Sequence, residues 1–226
     1  MPLKLAVLVS GSGSNLQAII DRAASGLLDA ELRVVLSNQP EAFGLERARK
    51  AGVPALALSH GDYEDRAGFD QAMIEAIRGH GADAVAMAGF MRMVTPGFLR
   101  AFPGRVLNIH PALLPSFPGT HGQRDAADHG VRIAGCTVHF VDEGMDSGPI
   151  IIQAAVQALP TDTSETLGAR ILTMEHRIYP QALQWLSEGR LSVRGRKVFL
   201  APARKPKAFL GEPGEYMVSP ALEQGF

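Results

Sequence analysis

An amide and an imidazole stand two residues apart, at Asn108 and His110, in the run Val106-Leu-Asn-Ile-His-Pro-Ala-Leu-Leu-Pro115. On a strand that spacing puts both side chains on one face. Pro111 has no N–H and pushes the residue before it into extended backbone, so the imidazole falls at a strand-to-loop edge. A neutral amide donor beside a group that can give up a proton near pH 7 suits an oxyanion developing on a carbonyl carbon. Such a pair needs a carboxylate, and Asp146 offers one in the polar turn Asp142-Glu-Gly-Met-Asp-Ser-Gly-Pro149. Asn, His and Asp from two loops make an acyl-transfer site; a satisfied strand end and an ordinary turn residue are the alternative that spacing leaves open.

A second stretch, Gly11-Ser-Gly-Ser-Asn15, lies between an apolar run and a helical pattern. Glycines there let the backbone approach an anion, and the N–H groups opening the next helix bind phosphate. A dinucleotide fingerprint is excluded: Leu16 holds the third glycine position, and the next strand runs into Ser37-Asn-Gln-Pro40 where an acid for a ribose would stand. The Gly-Lys-Ser/Thr ending of a P-loop is absent too. The stretch fits a tight β–α turn or a monophosphate site.

The elements that must position these residues alternate along the first half. Strands are expected at Lys4–Ser10, Leu32–Ser37, Pro54–Leu58 and Ala84–Ala88, and helices at Asn15–Ala24, Ala42–Ala51 and Asp65–Arg78. A short helix at Thr95–Ala101 precedes the Val106–His110 strand, and a long loop with prolines at 111, 115 and 118 follows it. Cys136–Val141 and Ile150–Val156 nearly alternate and read as an antiparallel hairpin that carries Asp146. Ser164–Leu186 is the longest helical pattern, with Thr163 or Ser164 as cap and Gly189 as stop. The expected fold class is α/β: a Rossmann-like, mostly parallel sheet with helices on both faces and an antiparallel hairpin added in the C-terminal half. Residues 1–193 form one domain in this reading, and 194–226 a partly irregular C-terminal extension.

Composition narrows the function classes. Lys plus Arg number 22 against 23 Asp plus Glu, without the basic excess that nucleic-acid binding exploits, and no apolar run could span a membrane. The one cysteine, Cys136, excludes an internal disulfide framework and a cysteine-built zinc site. Leu5–Val9 is too short for a signal peptide, and a reducing cytoplasm is the expected compartment. Of the histidines only His110 stands in a catalytic pattern. His139 reads as structural to its strand and His176 as a helix-face residue; His139, Asp142 and Asp146 are a weak ligand set, and no metal is expected. Arg190, Arg194, Arg196, Lys197, Arg204, Lys205 and Lys207 make the tail basic. That run reads as a solvated extension with a short hairpin, and no function is assigned to it.

Asn108-Ile-His-Pro-Ala-Leu-Leu-Pro115, then Gly119 and Asp146-Ser-Gly-Pro149, resembles the signature of the folate-dependent formyltransferases. Ser10-Gly-Ser-Gly-Ser-Asn-Leu16 and Met174-Glu-His-Arg-Ile-Tyr-Pro180 extend the likeness from about Lys4 to Val193. The resemblance implies formyl transfer from 10-formyltetrahydrofolate, as co-substrate, to the primary amine of glycinamide ribonucleotide, with Asn108, His110 and Asp146 catalytic. It implies that Gly13, Ser14 and Asn15 hold the ribonucleotide phosphate, and that Gly119 and Glu175 meet the rest of that substrate. It puts the folate against Met91, Arg92, Met93, Val94, Asn108, Val141, Asp142 and Asp146. At Leu172 this chain carries an apolar residue where relatives place a polar one that helps hold substrate. Members acting on tRNA carry a further basic C-terminal domain, and those hydrolysing the formylfolate a regulatory domain ahead of the catalytic one; neither is expected here. A nucleotide-phosphate binding module without folate chemistry is the reading from another class. Nucleic acid and membrane are not expected partners, and a homodimer is allowed.

Overall fold

In the first strand, β1 (Leu3–Val9), Leu5, Val7 and Val9 enter one apolar cluster while Ala6 and Leu8 enter another. A strand buried on both faces requires a helix layer on each side. The computed structural model describes residues 1–203 and 216–226. It builds those layers from α1 (Ser14–Ala24), α2 (Phe43–Lys50), α3 (Arg66–Gly79), α4 (Pro96–Ala101), α5 (Gly122–His129) and α6 (Ser164–Ser187). The strands between them are β2 (Ala30–Ser37), β3 (Ala55–Ala57), β4 (Ala84–Met87), β5 (Val106–His110), β6 (Ile133–Phe140) and β7 (Ile150–Gln157). After α6 come β8 (Leu191–Arg194), β9 (Lys197–Leu200) and β10 (Tyr216–Ser219).

The sheet runs β3-β2-β1-β4-β5-β6-β7-β9-β8, with β10 also on β7. The first five strands pair in parallel, and β5 with β6 and β6 with β7 pair antiparallel. This is the Rossmann-like α/β sheet that the alternating pattern implies, with the hairpin β6–β7 laid beside β5. From β1 the chain crosses outward to β2, and from β4 it crosses the opposite way to β5. Their carboxyl ends therefore flank the switch point where open sheets of this kind leave a crevice.

Leu16 and Ile19 of α1, Leu45 of α2 and Ile171, Ile178 and Trp185 of α6 fill one face of the sheet. Phe69, Met73 and Ile77 of α3 and Phe98 of α4 fill the other. Cutting one such fully buried side chain to alanine costs about 2–5 kcal/mol. The start of α6 is fixed by a capping box between Thr163 and Thr166, and Gly189, at φ 65°, follows its end. The Tyr179 hydroxyl in α6 lies 3.0 Å from the carbonyl oxygens of both Met87 and Leu107, so it ties this helix beneath β4 and β5 one residue before Asn108.

Two regions differ from the sequence expectation. Helix α5 occupies what reads as loop; it buries only Gly122 and Ala126, too little for an apolar stripe to be seen. Beyond Val193 the chain adds β9 and β10 to the far side of β7, and buries Leu222 and Phe226 in the core. Arg190 is buried and donates to Glu188 and Glu223 at 2.8 and 2.7 Å, so it is no part of a solvated run. Arg204, Lys205 and Lys207 lie outside the described residues. Among the described residues no helix is long and apolar enough to cross a membrane.

Candidate active site

Strand β5 ends at His110, as Pro111 requires, and delivers Asn108 and His110 to a cleft of about 530 Å³ at the switch point. His110 is 3% exposed. Its Nε2 lies 2.8 Å from the Phe117 carbonyl oxygen and its Nδ1 3.5 Å from Asp146 Oδ2. Both neighbours are acceptors, to which a ring N–H can donate. The Gly119 N–H donates to Asp146 Oδ2 at 2.7 Å and holds that carboxylate against the ring.

Among the described residues, Phe117 (φ 52°) and Asp146 (φ 50°) are the two non-glycine residues with left-handed backbone. Such a conformation costs on the order of 1 kcal/mol, and here it falls on the two residues that meet the His110 ring. Glycine makes the Asp146 turn possible: a Cβ on Gly148 would stand 1.7 Å from the Phe140 carbonyl oxygen. Asp142 braces the same turn by accepting from Ser147 Oγ at 2.6 Å and from the Gly144 N–H at 3.1 Å.

His139 faces Asn108 directly across the β5–β6 pairing. Its Nδ1 is 2.9 Å from the Phe140 carbonyl oxygen and so carries the proton, which leaves Nε2 to accept from Asn108 Nδ2 at 3.1 Å. Burial holds the His139 pKa below the usual histidine value, against the raising pull of the Phe140 carbonyl and Asp146. The neutral ring thus fixes the Asn108 amide with its second N–H free for a ligand. The sequence marked His139 only as structural to its strand. Its partnership with Asn108 depends on a cross-strand register that spacing alone does not reveal.

One wall of the cleft comes from the loop after β4, Gly89 to Val94, and the opposite one from Val141, Asp142, Gly144, Met145 and Asp146. Met91 is 61% exposed at the mouth, and Val94 is buried. The Arg92 guanidinium lies over the Phe69 ring at 5.5 Å, and its Nε is buried without a hydrogen-bond partner. Gly119, Gln123, Leu172 and Glu175 also line the cleft, as do Ser14 and Asn15. Gly13 lines a smaller adjoining cavity of about 190 Å³ formed by Ser10–Asn15 and Ala88, Gly89 and Met91. Apart from Gly13, which lines only the smaller cavity, the residues marked in the sequence for catalysis, phosphate, folate and substrate line the same cleft. Glu175 is 5% exposed and accepts from Asn15 Nδ2 at 2.7 Å; burial pushes its pKa up, and the Asn15 donor opposes that rise. Among the described residues no group of three or more His, Cys, Asp or Glu could hold a metal ion.

The arrangement offers an oxyanion donor, an imidazole–carboxylate pair and an apolar slot. Residues 3–183 match the family model described as "Formyl transferase". The chain is 42% identical over 204 residues to phosphoribosylglycinamide formyltransferase of Escherichia coli (strain K12), covering 90% of this chain and 96% of that one. It is 43% identical over 194 residues to the enzyme of the same name from Bacillus subtilis (strain 168), covering 86% and 98%. The crystal structure of glycinamide ribonucleotide transformylase 1 from Symbiobacterium toebii superposes with a TM-score of 0.88 at 52% identity, covering 89% of this chain and 95% of that one. By sequence match and by fold, the chain belongs to the formyl transferase family.

Proposed function

We propose that the protein transfers the formyl group of 10-formyltetrahydrofolate to the primary amine of glycinamide ribonucleotide, a step of de novo purine biosynthesis. The observation that carries this reading is the convergence of Asn108, His110 and Asp146 between an apolar slot and the Gly11–Asn15 loop. The slot suits a flat heterocycle: Met91, Met93 and Val94 give it polarizable and apolar walls, with Val141 and Asp142 opposite. The loop suits a phosphate, and a ribonucleotide lying from it toward His110 passes Gly119 and Glu175. The similarity to enzymes named for this substrate supports the same assignment.

In this reading the amine attacks the formyl carbon directly. A C–N bond forms to the glycyl nitrogen while the carbonyl electrons move onto oxygen. The free N–H of Asn108 and the protonated His110 stabilise that oxyanion, and Asp146 holds the imidazole and its charge in place. Collapse breaks the bond to the folate N10, and the proton lost by the amine reaches N10 with His110 and Asp146 as carriers. The products are formylglycinamide ribonucleotide and tetrahydrofolate. No step calls on a metal or on nucleic acid, and with a lone buried cysteine the protein is read as cytoplasmic.

An absorbance assay with a 10-formyl folate, run with and without glycinamide ribonucleotide, tests the reading. Deformylation that requires the ribonucleotide is expected. Deformylation without an acceptor indicates a hydrolase, and none in either case leaves a phosphate-binding module.

A further inference from the structure

Among the described residues, the backbone N–H groups of Gly11, Ser12 and Gly13 have no hydrogen-bond partner, and those of Ser14, Asn15 and Leu16 are left open as the first turn of α1. Three open loop donors running into a helix start form a ready anion-binding surface. Asn15 Oδ1 is buried beside them without a partner, and the small cavity opens on this stretch. What keeps the donors aimed outward is the start of α2. The Gly44 N–H donates to the Gly11 carbonyl at 3.0 Å, and Arg47 Nε donates to the Ser12 carbonyl at 2.8 Å.

In a trans peptide the C=O and N–H point opposite ways. Pinning the Gly11 and Ser12 carbonyls toward α2 therefore turns the Ser12 and Gly13 N–H groups away from it. Nothing from α2 lines the cavity, so the face turned away from that helix is the cavity's face. The contact is built for close approach. A Cβ on Gly13, at φ 69°, would lie 2.6 Å from Gly44 Cα, and one on Gly44 would lie 2.9 Å from Val9 Cγ2. Arg47 is itself held, by a bond from Nη1 to Gln17 Oε1 at 3.1 Å and by stacking 4.9 Å from the Phe43 ring.

We propose that Arg47 is a positioning residue for a phosphate monoester in the Ser12–Asn15 cavity: it holds the Ser12 carbonyl back so that consecutive N–H groups face the anion. It contacts no substrate atom in this account. The proposal deepens the formyl-transfer reading and rests on that reading's phosphate subsite.

The test compares Arg47→Met, which keeps the apolar stem, and Arg47→Lys with wild type on two acceptors, glycinamide ribonucleotide and its dephosphorylated riboside. Loss of one charged hydrogen bond from the loop is expected to raise the KM of Arg47→Met for the ribonucleotide about tenfold. The riboside KM, the folate KM and kcat on either acceptor should stay within about twofold. Arg47→Lys, which can still reach one carbonyl, should recover part of the loss. Equal losses on both acceptors, or none, overturn the proposal. If wild type formylates neither acceptor, the formyl-transfer reading falls, and calorimetry with ribose 5-phosphate decides on Arg47 alone. Tenfold weaker binding by Arg47→Met sustains its role, whereas equal binding by both proteins, or none by either, overturns it.

Discussion

Removing the ring that aims Asn108 should slow the chemistry without touching a reacting atom. His139→Leu keeps a side chain of moderate bulk in the strand but has no acceptor for Asn108 Nδ2, now 3.1 Å from the imidazole. A neutral hydrogen bond of this kind contributes about 0.5–1.5 kcal/mol. An unheld Asn amide rotates in a broad, roughly two-fold well, so part of the time it offers its carbonyl to the oxyanion. Loss of an entire oxyanion donor costs about a hundredfold or more in kcat. The expected loss for His139→Leu lies between these limits, at about tenfold in kcat, with both KM values near wild type. The assay is the absorbance change on deformylation at saturating folate and ribonucleotide. Because the effect passes through Asn108, the double variant with Asn108→Ala should be no slower than Asn108→Ala alone. Losses that multiply in the double variant would refute this coupling, as would an unchanged kcat in a correctly folded His139→Leu protein.

Other outcomes follow from the same geometry. His110→Ala and Asp146→Asn should each lower kcat about a hundredfold or more, read in the same assay, because the first removes the imidazole that stabilises the forming oxyanion and the second the carboxylate that holds that ring. Gly148→Ala forces a Cβ into the Phe140 carbonyl and must displace the turn that carries Asp146, so kcat should fall on the order of a hundredfold and Tm should drop; unchanged values of both would contradict the account. Burial raises the Glu175 pKa above its ordinary 4.5, so the stability tied to this group is present below that pH and is lost as pH rises toward the folded value. Glu175→Gln should therefore melt higher than wild type at about pH 8, with the difference closing toward about pH 4, while its KM for the ribonucleotide rises. A Tm difference that grows on acidification would reverse the sign and refute the argument.

The parallel half of the fold was legible because its strands are continuous apolar runs separated by helical periodicity, and each crossover then dictates the next strand's direction. Helix α5 was not, since a helix that buries one alanine and one glycine leaves no stripe. Strand β10 was hidden for a related reason: it is four residues long, half exposed, and takes its partner β7 from far along the chain. At the site, Asn108 and His110 could be paired from period-two spacing, and Pro111 marked where their strand ends. His139 and Arg47 could not, because each acts through register or through a backbone carbonyl supplied by another segment. Leu172 and Gln123 both line the cleft, so the lining that holds the apolar position seen in the sequence also holds an amide.

Direct transfer from folate to amine at the Asn108, His110 and Asp146 cluster can be followed in a single-turnover experiment with a folate carrying a ¹³C-formyl group. Excess wild-type protein would be mixed with the labelled folate and glycinamide ribonucleotide, and the label followed by NMR and by mass spectrometry of the protein. The ¹³C signal should move from the formylfolate to the formamide of the ribonucleotide, with the protein unlabelled throughout and the rate sharply reduced in Asp146→Asn. Label on the protein, or label released as formate while the ribonucleotide stays unmodified, would contradict direct transfer.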